Sequence, residues 1–339
     1  MKTAVVLFNL GGPDKTESVQ PFLFNLFNDK KIINLPNPLR YFLAKFISKK
    51  RNKEATQIYS QIGGKSPILT TTNSQAAALE RKLNKESEGE KKVFVCMRYW
   101  HPMTPEVAKN VKDYNPDKVV LLPLYPQYST ATTESSIEQW FKSAKNINLK
   151  KQTNYICCYP TQKTFLKAHV ELIKNKTSSL KNFRLLFSAH GLPEVTIKKG
   201  DPYQWQIEKT VGGVVSLLGD VDYTICYQSR VGPLKWIGPS TPEAIDKAIK
   251  DDVEIVVVPI AFVSDHSETL VELDIEYREY AKQKGFNKYN VVPALNLNET
   301  FIKALYELVI SSINSDKAGN IINKICPATF KKCKNKNVI

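Results

Sequence analysis

The segment RYWHPMTPEVAKNVKDYNPDKVVLLPLYPQYS, residues 98–129, decides the fold, because residues 230–264, RVGPLKWIGPSTPEAIDKAIKDDVEIVVVPIAFVS, follow the same plan. Each has an arginine-led loop, Thr-Pro-Glu, a helical stretch, an acidic turn and a β-branched run that reaches a proline and then a serine. Such a recurrence indicates one αβ unit used twice. We expect Thr104 and Thr241 to be helix N-caps, since the proline after each fits the first helical turn.

The repeat extends backwards, to VVLFNLGGP at residues 5–13 and LLFSAHGLP at residues 185–193. Both are apolar runs that break into loops containing glycine and proline. Near-continuous Val, Ile and Leu strands between helical stretches indicate parallel sheets with both faces covered. We therefore predict two similar, doubly wound parallel-sheet α/β domains, at residues 1–150 and 151–315, followed by a basic C-terminal tail at 316–339.

Composition describes a folded chain of 339 residues, 42% hydrophobic and 24% charged, with a formal net charge of +15. Basic residues are spread along the chain, and no zinc-finger, helix-turn-helix or RNA-recognition signature is present, so we expect no nucleic-acid partner. The apolar run at the N-terminus is too short for an export signal, and the longest other runs are about half of the roughly 20 residues that a spanning helix needs. We expect a cytoplasmic protein.

His190 follows a predicted buried strand, and ligands of open α/β sheets bind beyond the carboxyl ends of the strands. If the two domains face each other, the strand ends of both share one central cleft. The position alone leaves two interpretations open: an imidazole that serves the site, or a structural histidine that bonds the loop backbone. Strand ends are expected at residues 9–13, 97–101, 124–129, 188–193, 228–232 and 262–266.

The stretch FVSDHSETLVELDIEYREY, residues 262–280, predicts a helix with four carboxylates in one stripe: Asp265, Glu268, Glu272 and Glu276. Such a stripe is often only a solvated face, but this one begins at a strand end beside a histidine, which favours function. Imidazole and carboxylate together suit a borderline divalent metal such as iron or zinc. One histidine and one glutamate are fewer ligands than a closed structural site needs, so they would hold a metal only in passing.

Seven stretches in order now identify a resemblance that covers about residues 4–310. They are FNLGGP, QIGGKSPI, MRYWHP, PLYPQYS, FSAHGLPEVTIKKGDPY, YQSRVGPLKWIGPST and FVSDHSETLVELDIEY. Together they resemble the ferrochelatase family of bacterial type. The resemblance implies two flavodoxin-like, chelatase-like halves around a porphyrin cleft. It also implies insertion of ferrous iron into protoporphyrin IX to form protohaem, with release of two pyrrole protons, at the end of haem biosynthesis.

The resemblance also implies roles for particular residues. His190 and Glu268 match the catalytic, metal-binding pair, and His266, Glu272 and Asp274 match a path for iron or protons. Metallation needs a base that titrates near neutrality, which is the ordinary property of histidine. Porphyrin-binding positions are matched by Arg51, Arg98, Tyr99, Tyr125, Ser229, Trp236 and Phe262.

Ferrous iron is expected as a substrate, with no organic cofactor. A [2Fe–2S] cluster is not expected, since Thr130 stands where cluster-bearing members with an equivalent fourth ligand have cysteine, and the tail offers only Cys326 and Cys333. Two alternatives to a protoporphyrin chelatase stay open: a chelatase for another tetrapyrrole such as coproporphyrin, or for another metal, and a non-catalytic tetrapyrrole or metal carrier.

The stretch PLRYFLAKFISKKR, residues 38–51, predicts a helix with Leu39, Phe42, Leu43, Phe46 and Ile47 on one face. By pattern this is either a core-facing helix or a basic amphipathic helix at a membrane surface. The family resemblance places this region at the lip of the porphyrin cleft. We therefore expect loose, peripheral contact with the inner membrane.

Overall fold

The computed structural model describes residues 1–230, 232, 234–315, 318–322 and 325–333, and the other positions of the predicted tail lie outside the described residues. The strands are β1 Lys2–Leu10, β2 Glu90–Arg98, β3 Lys118–Pro123, β4 Gln152–Tyr155, β5 Phe183–His190, β6 Tyr223–Gln228, β7 Glu254–Pro259, β8 Tyr289–Val291 and β9 Gly319–Asn320. The α-helices are α1 Val19–Phe27, α2 Leu39–Ser60, α3 Ile68–Glu86, α4 Thr104–Tyr114, α5 Ser135–Asn146, α6 Lys163–Thr177, α7 Glu194–Lys198, α8 Tyr203–Leu218, α9 Thr241–Lys250, α10 Tyr277–Gln283 and α11 Glu299–Ile313.

The chain divides into two compact units. The first comprises Met1–Tyr125, Ser129–Cys158 and Leu305–Asn323. The second comprises Pro126–Tyr128, Tyr159–Ala304 and Lys324–Ile339. Helix α11 therefore begins in the second unit and ends in the first.

The sheet of the first unit has the strand order β2-β1-β3-β4-β9, and all of its pairs are parallel. Its first four strands have the flavodoxin-like order 2-1-3-4. Strand β3 is buried at every position, as expected for a strand whose two faces are both covered. On one face, Val6 and Phe8 of β1 pack with Val107 and Val111 of α4 and with Trp140 of α5.

The second unit repeats this arrangement with the order β6-β5-β7-β8, again parallel throughout. Leu186 and Val257 of its sheet pack with Ile245 of α9 and with Leu273 and Ala281 further along the chain. The predicted fold class, two doubly wound parallel-sheet α/β domains of similar order, is confirmed.

The two sheets also agree in register at their carboxyl ends. Leu10 pairs with Arg98 in the first, and His190 pairs with Gln228 in the second. The glycine that follows each first strand donates its amide to the last residue of the second strand, over 2.7 Å from Gly11 to Arg98 and 2.9 Å from Gly191 to Gln228. His190 thus occupies the position at which the first unit has a leucine, so the repeated backbone carries a titratable group in one copy.

The N-cap prediction for the two threonines is wrong by one residue. Helix α4 has Met103 at its N-cap, and α9 has Ser240, which forms a capping box with Glu243. The threonines occupy the first helical position and turn inwards, where the Thr241 hydroxyl lies 2.9 Å from that of Ser188. A serine directly before Thr-Pro-Glu is the better capping residue, because its side chain reaches the amide three positions on.

Candidate active site

His190 ends β5, and its Nδ1 lies 2.8 Å from Oε2 of Glu268, the first residue of a nine-residue π-helix, Glu268–Glu276. The side chain of His190 is 39% exposed and that of Glu268 is 25% exposed, so both remain accessible to a ligand. With Nδ1 engaged by the carboxylate, Nε2 is the ring atom left for a ligand or a proton. The predicted catalytic pair is therefore in direct contact.

The two partners stabilise each other's charge. Burial disfavours the imidazolium form of His190, but the negative charge and hydrogen bond of Glu268 outweigh it and raise the pKa of the imidazole. Burial also opposes ionisation of Glu268, yet its pairing with His190 outweighs burial and lowers the pKa of that carboxyl. Below its raised pKa, His190 is an imidazolium beside a carboxylate, and it must lose that proton before it can accept another.

The predicted stripe of four carboxylates does not form as expected. Asp265 precedes the helix and is bound by the Asn296 and Thr269 side chains, so it belongs to a loop contact. From Glu268 the backbone follows a π-helix with hydrogen bonds five residues apart, and then continues as α10. The first unit has a shorter π-helix, Thr130–Glu134, directly before α5, so both repeats use a π-helix after their third strand.

Glu272 accepts four hydrogen bonds. Its Oε1 accepts from the Ser229 amide and the Tyr277 hydroxyl, both at 2.8 Å, and its Oε2 accepts from the Ser229 hydroxyl and from Gln228 Nε2 at 3.1 Å. A carboxylate offers about four acceptor positions, and here each is filled. The structure therefore joins Glu272 to the end of β6, with Ser229 also donating to Glu268 over 3.3 Å.

The other residues of the predicted metal path lie in different surroundings. His266 is buried, its Nδ1 lies 3.1 Å from the Ser264 carbonyl, and its ring centroid lies 4.7 Å from that of Phe262, with the two rings tilted by 50°. Asp274 forms an ion pair with Arg278, four residues further on. Within the described residues, no group of three or more His, Cys, Asp or Glu side chains is placed to hold a metal ion.

Trp236 packs beside the loop that follows His190. A β-bridge joins it to Pro193, and the Ile237 amide donates to the Leu192 carbonyl over 3.0 Å. Its Nε1 is buried and has no partner in the part of the chain that the structure describes. A Cβ added to Gly191 would lie 2.9 Å from the Gln228 carbonyl oxygen and 3.2 Å from the Trp236 ring. The sequence has glycine after His190 because a side chain does not fit between these groups.

We expect Gly191→Ala to destabilise the protein by about 1–3 kcal/mol, since the contacted carbonyl belongs to the backbone and yields only if the loop moves. The displaced loop begins directly after His190, so kcat should fall more than stability alone explains. Thermal unfolding and steady-state rates measure both effects. Gly212→Ala is the matched control, because an added Cβ meets nothing within 4 Å there and alanine favours helix α8. Equal rates for the two variants would contradict the role given to Gly191.

In the first unit, Arg98 ends β2 and Tyr99 follows it, and both bind Asp29, a residue that no motif in the sequence marks. Arg98 Nη2 lies 2.7 Å and the Tyr99 hydroxyl 2.9 Å from Asp29 Oδ2. Tyr99 is only 3% exposed and packs with Phe22 and Tyr59, so its ring is part of a hydrophobic core. The Arg98 side chain is 21% exposed.

The remaining predicted porphyrin-binding residues of this unit differ in exposure. Tyr125 is half-buried, and its hydroxyl has no partner among the described residues. Burial raises its pKa, so the phenol stays neutral. Arg51 lies on α2 with its Nε 3.8 Å from Glu54, and it is open to solvent on one side.

Comparison with known proteins bears on the whole chain. The family model described as Ferrochelatase matches residues 2–313. The chain is 56% identical to the ferrochelatase of Pelagibacter ubique, over 98% of each protein. It is 50% identical to that of Rickettsia bellii, over 98% of this chain and 94% of the other.

The chain belongs to the ferrochelatase family. Its fold is also that of two solved chelatase structures. The first, SirB from Bacillus subtilis with Fe3+, has a TM-score of 0.55 and 14% identity, and the match covers 93% of this chain and 96% of the other. The second, the sirohydrochlorin chelatase SirB from Bacillus subtilis subspecies spizizenii in complex with cobalt, has a TM-score of 0.52 and 13% identity, with coverage of 92% and 95%. At such low identity these likenesses concern the fold alone.

Three residues of this ferrochelatase family member were missed or misread in the sequence. Tyr277 carries no sign of a polar role in the sequence, but its hydroxyl binds Glu272 five positions earlier, a spacing that the longer turn of a π-helix brings together. Gln228 binds both Ser188 and Glu272, and the sign available in the sequence was its place directly before Ser229. Asp29 carries no motif, and its contact with Arg98 joins positions 69 residues apart.

Proposed function

We propose that this chain is a ferrochelatase that inserts ferrous iron into protoporphyrin IX, and that His190 and Glu268 carry out the reaction. The observation that carries the proposal is the 2.8 Å contact between Nδ1 of His190 and Oε2 of Glu268 at the end of a parallel strand, in a chain of the ferrochelatase family. Imidazole and carboxylate are ligands that suit ferrous iron.

In this mechanism His190 is the base. Iron enters the macrocycle as two pyrrole N–H protons leave, so each turnover delivers two protons that a protein group must accept or pass on. Glu268 orients the ring through Nδ1 and leaves Nε2, which takes a pyrrole proton once it has released iron to the macrocycle. The arriving dication favours loss of the proton from the paired imidazole, since like charges repel at short range.

The same pair suits iron as a passing substrate. Two side-chain ligands are fewer than the four of a closed structural site, so release into the porphyrin costs little. His266, two residues before Glu268, also contributes to the lowered pKa of that carboxyl. In this proposal Glu272 is a support for Ser229, and Arg98, Tyr125, Trp236 and Phe262 remain predicted porphyrin contacts.

The experiment is anaerobic incubation of the purified chain with ferrous iron and protoporphyrin IX, with coproporphyrin in parallel, while free-porphyrin fluorescence is followed. Many turnovers with protoporphyrin, and slower turnover with coproporphyrin, support the proposal. Faster turnover with coproporphyrin would show that coproporphyrin, and not protoporphyrin IX, is the preferred substrate. Stoichiometric porphyrin binding without turnover overturns the enzyme and favours a carrier.

We also infer that α2 rests on a membrane surface. Leu39, Phe42 and Phe46 follow one face of the helix and are 61%, 63% and 65% exposed, while Ala44 and Ser48 turn inwards and are buried. Exposed large apolar side chains in one row are a feature of interaction surfaces. Lys45, Lys49 and Lys50 on the same helix suit an anionic lipid surface. No helix in the described part of the chain is long and apolar enough to span a membrane.

We expect the double variant Phe42→Ser, Phe46→Ser to bind anionic vesicles at least about tenfold more weakly, because burial of each phenylalanine in lipid contributes roughly 2 kcal/mol. Co-sedimentation with phosphatidylglycerol vesicles measures the loss. Phe141→Ser is the control, since Phe141 is also exposed but belongs to a different helix, α5. Unchanged sedimentation of the double variant would remove the membrane contact.

A further inference from the structure

The two repeats share an unusual backbone conformation directly after their second strand. Tyr99 follows β2 with φ at +74°, and Ser229 follows β6 with φ at +60°. Residues other than glycine rarely adopt this left-handed conformation, and those that do are held there by their surroundings. The contacts that hold Tyr99 and Ser229 in this conformation therefore set the geometry at the ends of β2 and β6.

In the second unit the holding group is Glu272, which binds the last strand residue, Gln228, and the residue after it, Ser229. In the first unit Asp29 contacts the residues at the same two positions, here through the side chains of Arg98 and Tyr99. The two carboxylates come from different places in the repeat, one from a π-helix and the other from the turn after α1. Because unrelated elements supply a carboxylate to the same two positions, the conformation at the end of the strand requires such a partner.

Asp29 is well suited to hold its partners. Its side chain is 7% exposed, its Oδ2 also accepts from the Ser135 hydroxyl at 2.5 Å, and its Oδ1 accepts from the Lys31 amide at 2.8 Å. Burial opposes its ionisation, but the hydrogen bond from Ser135 and the charge of Arg98 outweigh burial and lower the pKa of the carboxyl. Asp29 is therefore a fixed anion at neutral pH.

Arg98 is held on three sides. Its Nη2 pairs with Asp29, its Nε donates to the Ser135 hydroxyl over 2.7 Å, and its guanidinium lies 4.6 Å above the Tyr99 ring. Its Nη1 has no partner among the residues that the structure describes. A guanidinium fixed through two of its nitrogens presents the third in one direction, and so binds an acceptor at little entropic cost.

We propose that Asp29 is a positioning residue: it fixes Arg98 and the strained Tyr99 so that Arg98 presents one free N–H edge to the substrate. The proposal rests on the proposed function, because Arg98 borders a substrate only if the strand ends form the porphyrin site. Asp29 itself touches no substrate and acts through Arg98. The Tyr99 ring supplies the surface on which the guanidinium rests.

The test is a double-mutant cycle with Asp29→Asn and Arg98→Gln, measured as kcat/KM for protoporphyrin. Asparagine keeps the size and accepting oxygen of Asp29 but removes its charge. We expect each single variant to lower kcat/KM about 10- to 100-fold, as displacement of a positioning group by about 1 Å does. The double variant should lose no more than the worse single variant, because both changes remove the same fixed guanidinium. Additive losses would overturn the proposal.

Asp222→Asn is the matched control. Asp222 pairs with Arg184 over 2.8 Å at the start of β5, the end of the strand away from His190. It should lower the melting temperature and leave kcat/KM unchanged. A second cycle, Asp29→Asn with Tyr99→Phe, follows melting temperature alone, and we expect the shifts to be non-additive. That cycle measures the coupling between Asp29 and Tyr99 even if the parent chain shows no turnover. Failure of the proposed function and failure of this inference are therefore distinguished.

Discussion

Replacement of His190 by alanine is expected to lower kcat by about 10³-fold, because it removes the base and one of the two metal ligands together. A general base alone contributes about 10²- to 10⁴-fold to a rate. The KM for porphyrin should change little, since the imidazole acts on the pyrrole protons and the metal. Anaerobic initial rates at saturating porphyrin, with direct porphyrin-binding titrations beside them, separate the two effects.

His101→Ala is the matched control for this change. His101 also follows a parallel strand, but its side chain is 62% exposed and its nearest charged partner is Glu106, at 3.6 Å. It should retain the parent rate within about twofold. A His190→Ala variant that keeps more than a tenth of the parent kcat would show that another group takes the protons.

The fold was predictable because its determinants are local and repeated. Continuous runs of Val and Ile, such as that of β7, indicate from sequence alone that both faces of the sheet are covered. The recurrence of Thr-Pro-Glu locates the equivalent helices α4 and α9. The end of β5 was predictable for the same reason. His190 follows the apolar run directly, and Gly191 marks a close backbone approach.

The π-helix at Glu268 was not predictable from spacing, because carboxylates three and four residues apart lie near one another in either kind of helix. A stripe at intervals of four suits an α-helix equally well. Only the Tyr277 contact with Glu272, five positions apart, and the departure of Asp265 into a loop distinguish the two. Motif matching likewise selected Tyr99 but gave no sign that its ring is buried.

Glu268→Gln is expected to lower kcat by about 10²-fold and to move the acid limb of its pH profile to lower pH. The parent needs an unprotonated His190, so its rate rises with pH through the raised pKa of that imidazole. Glutamine removes the larger of the two negative charges that oppose burial, and the smaller contribution of Glu272 remains. The pKa of His190 therefore falls, and the variant reaches its own maximal rate at lower pH than the parent.

The control is Glu279→Gln, which removes one negative charge from the helix that continues the same segment, where Glu279 is exposed beside Lys282 at 3.9 Å. Its profile should match that of the parent, because solvent screens an exposed charge. Rates are compared as fractions of each variant's own maximum, so that loss of a metal ligand and loss of proton affinity are read separately. An acid limb that stays in place, or moves to higher pH, would mean that the group titrating in the reaction is not the imidazole held by Glu268.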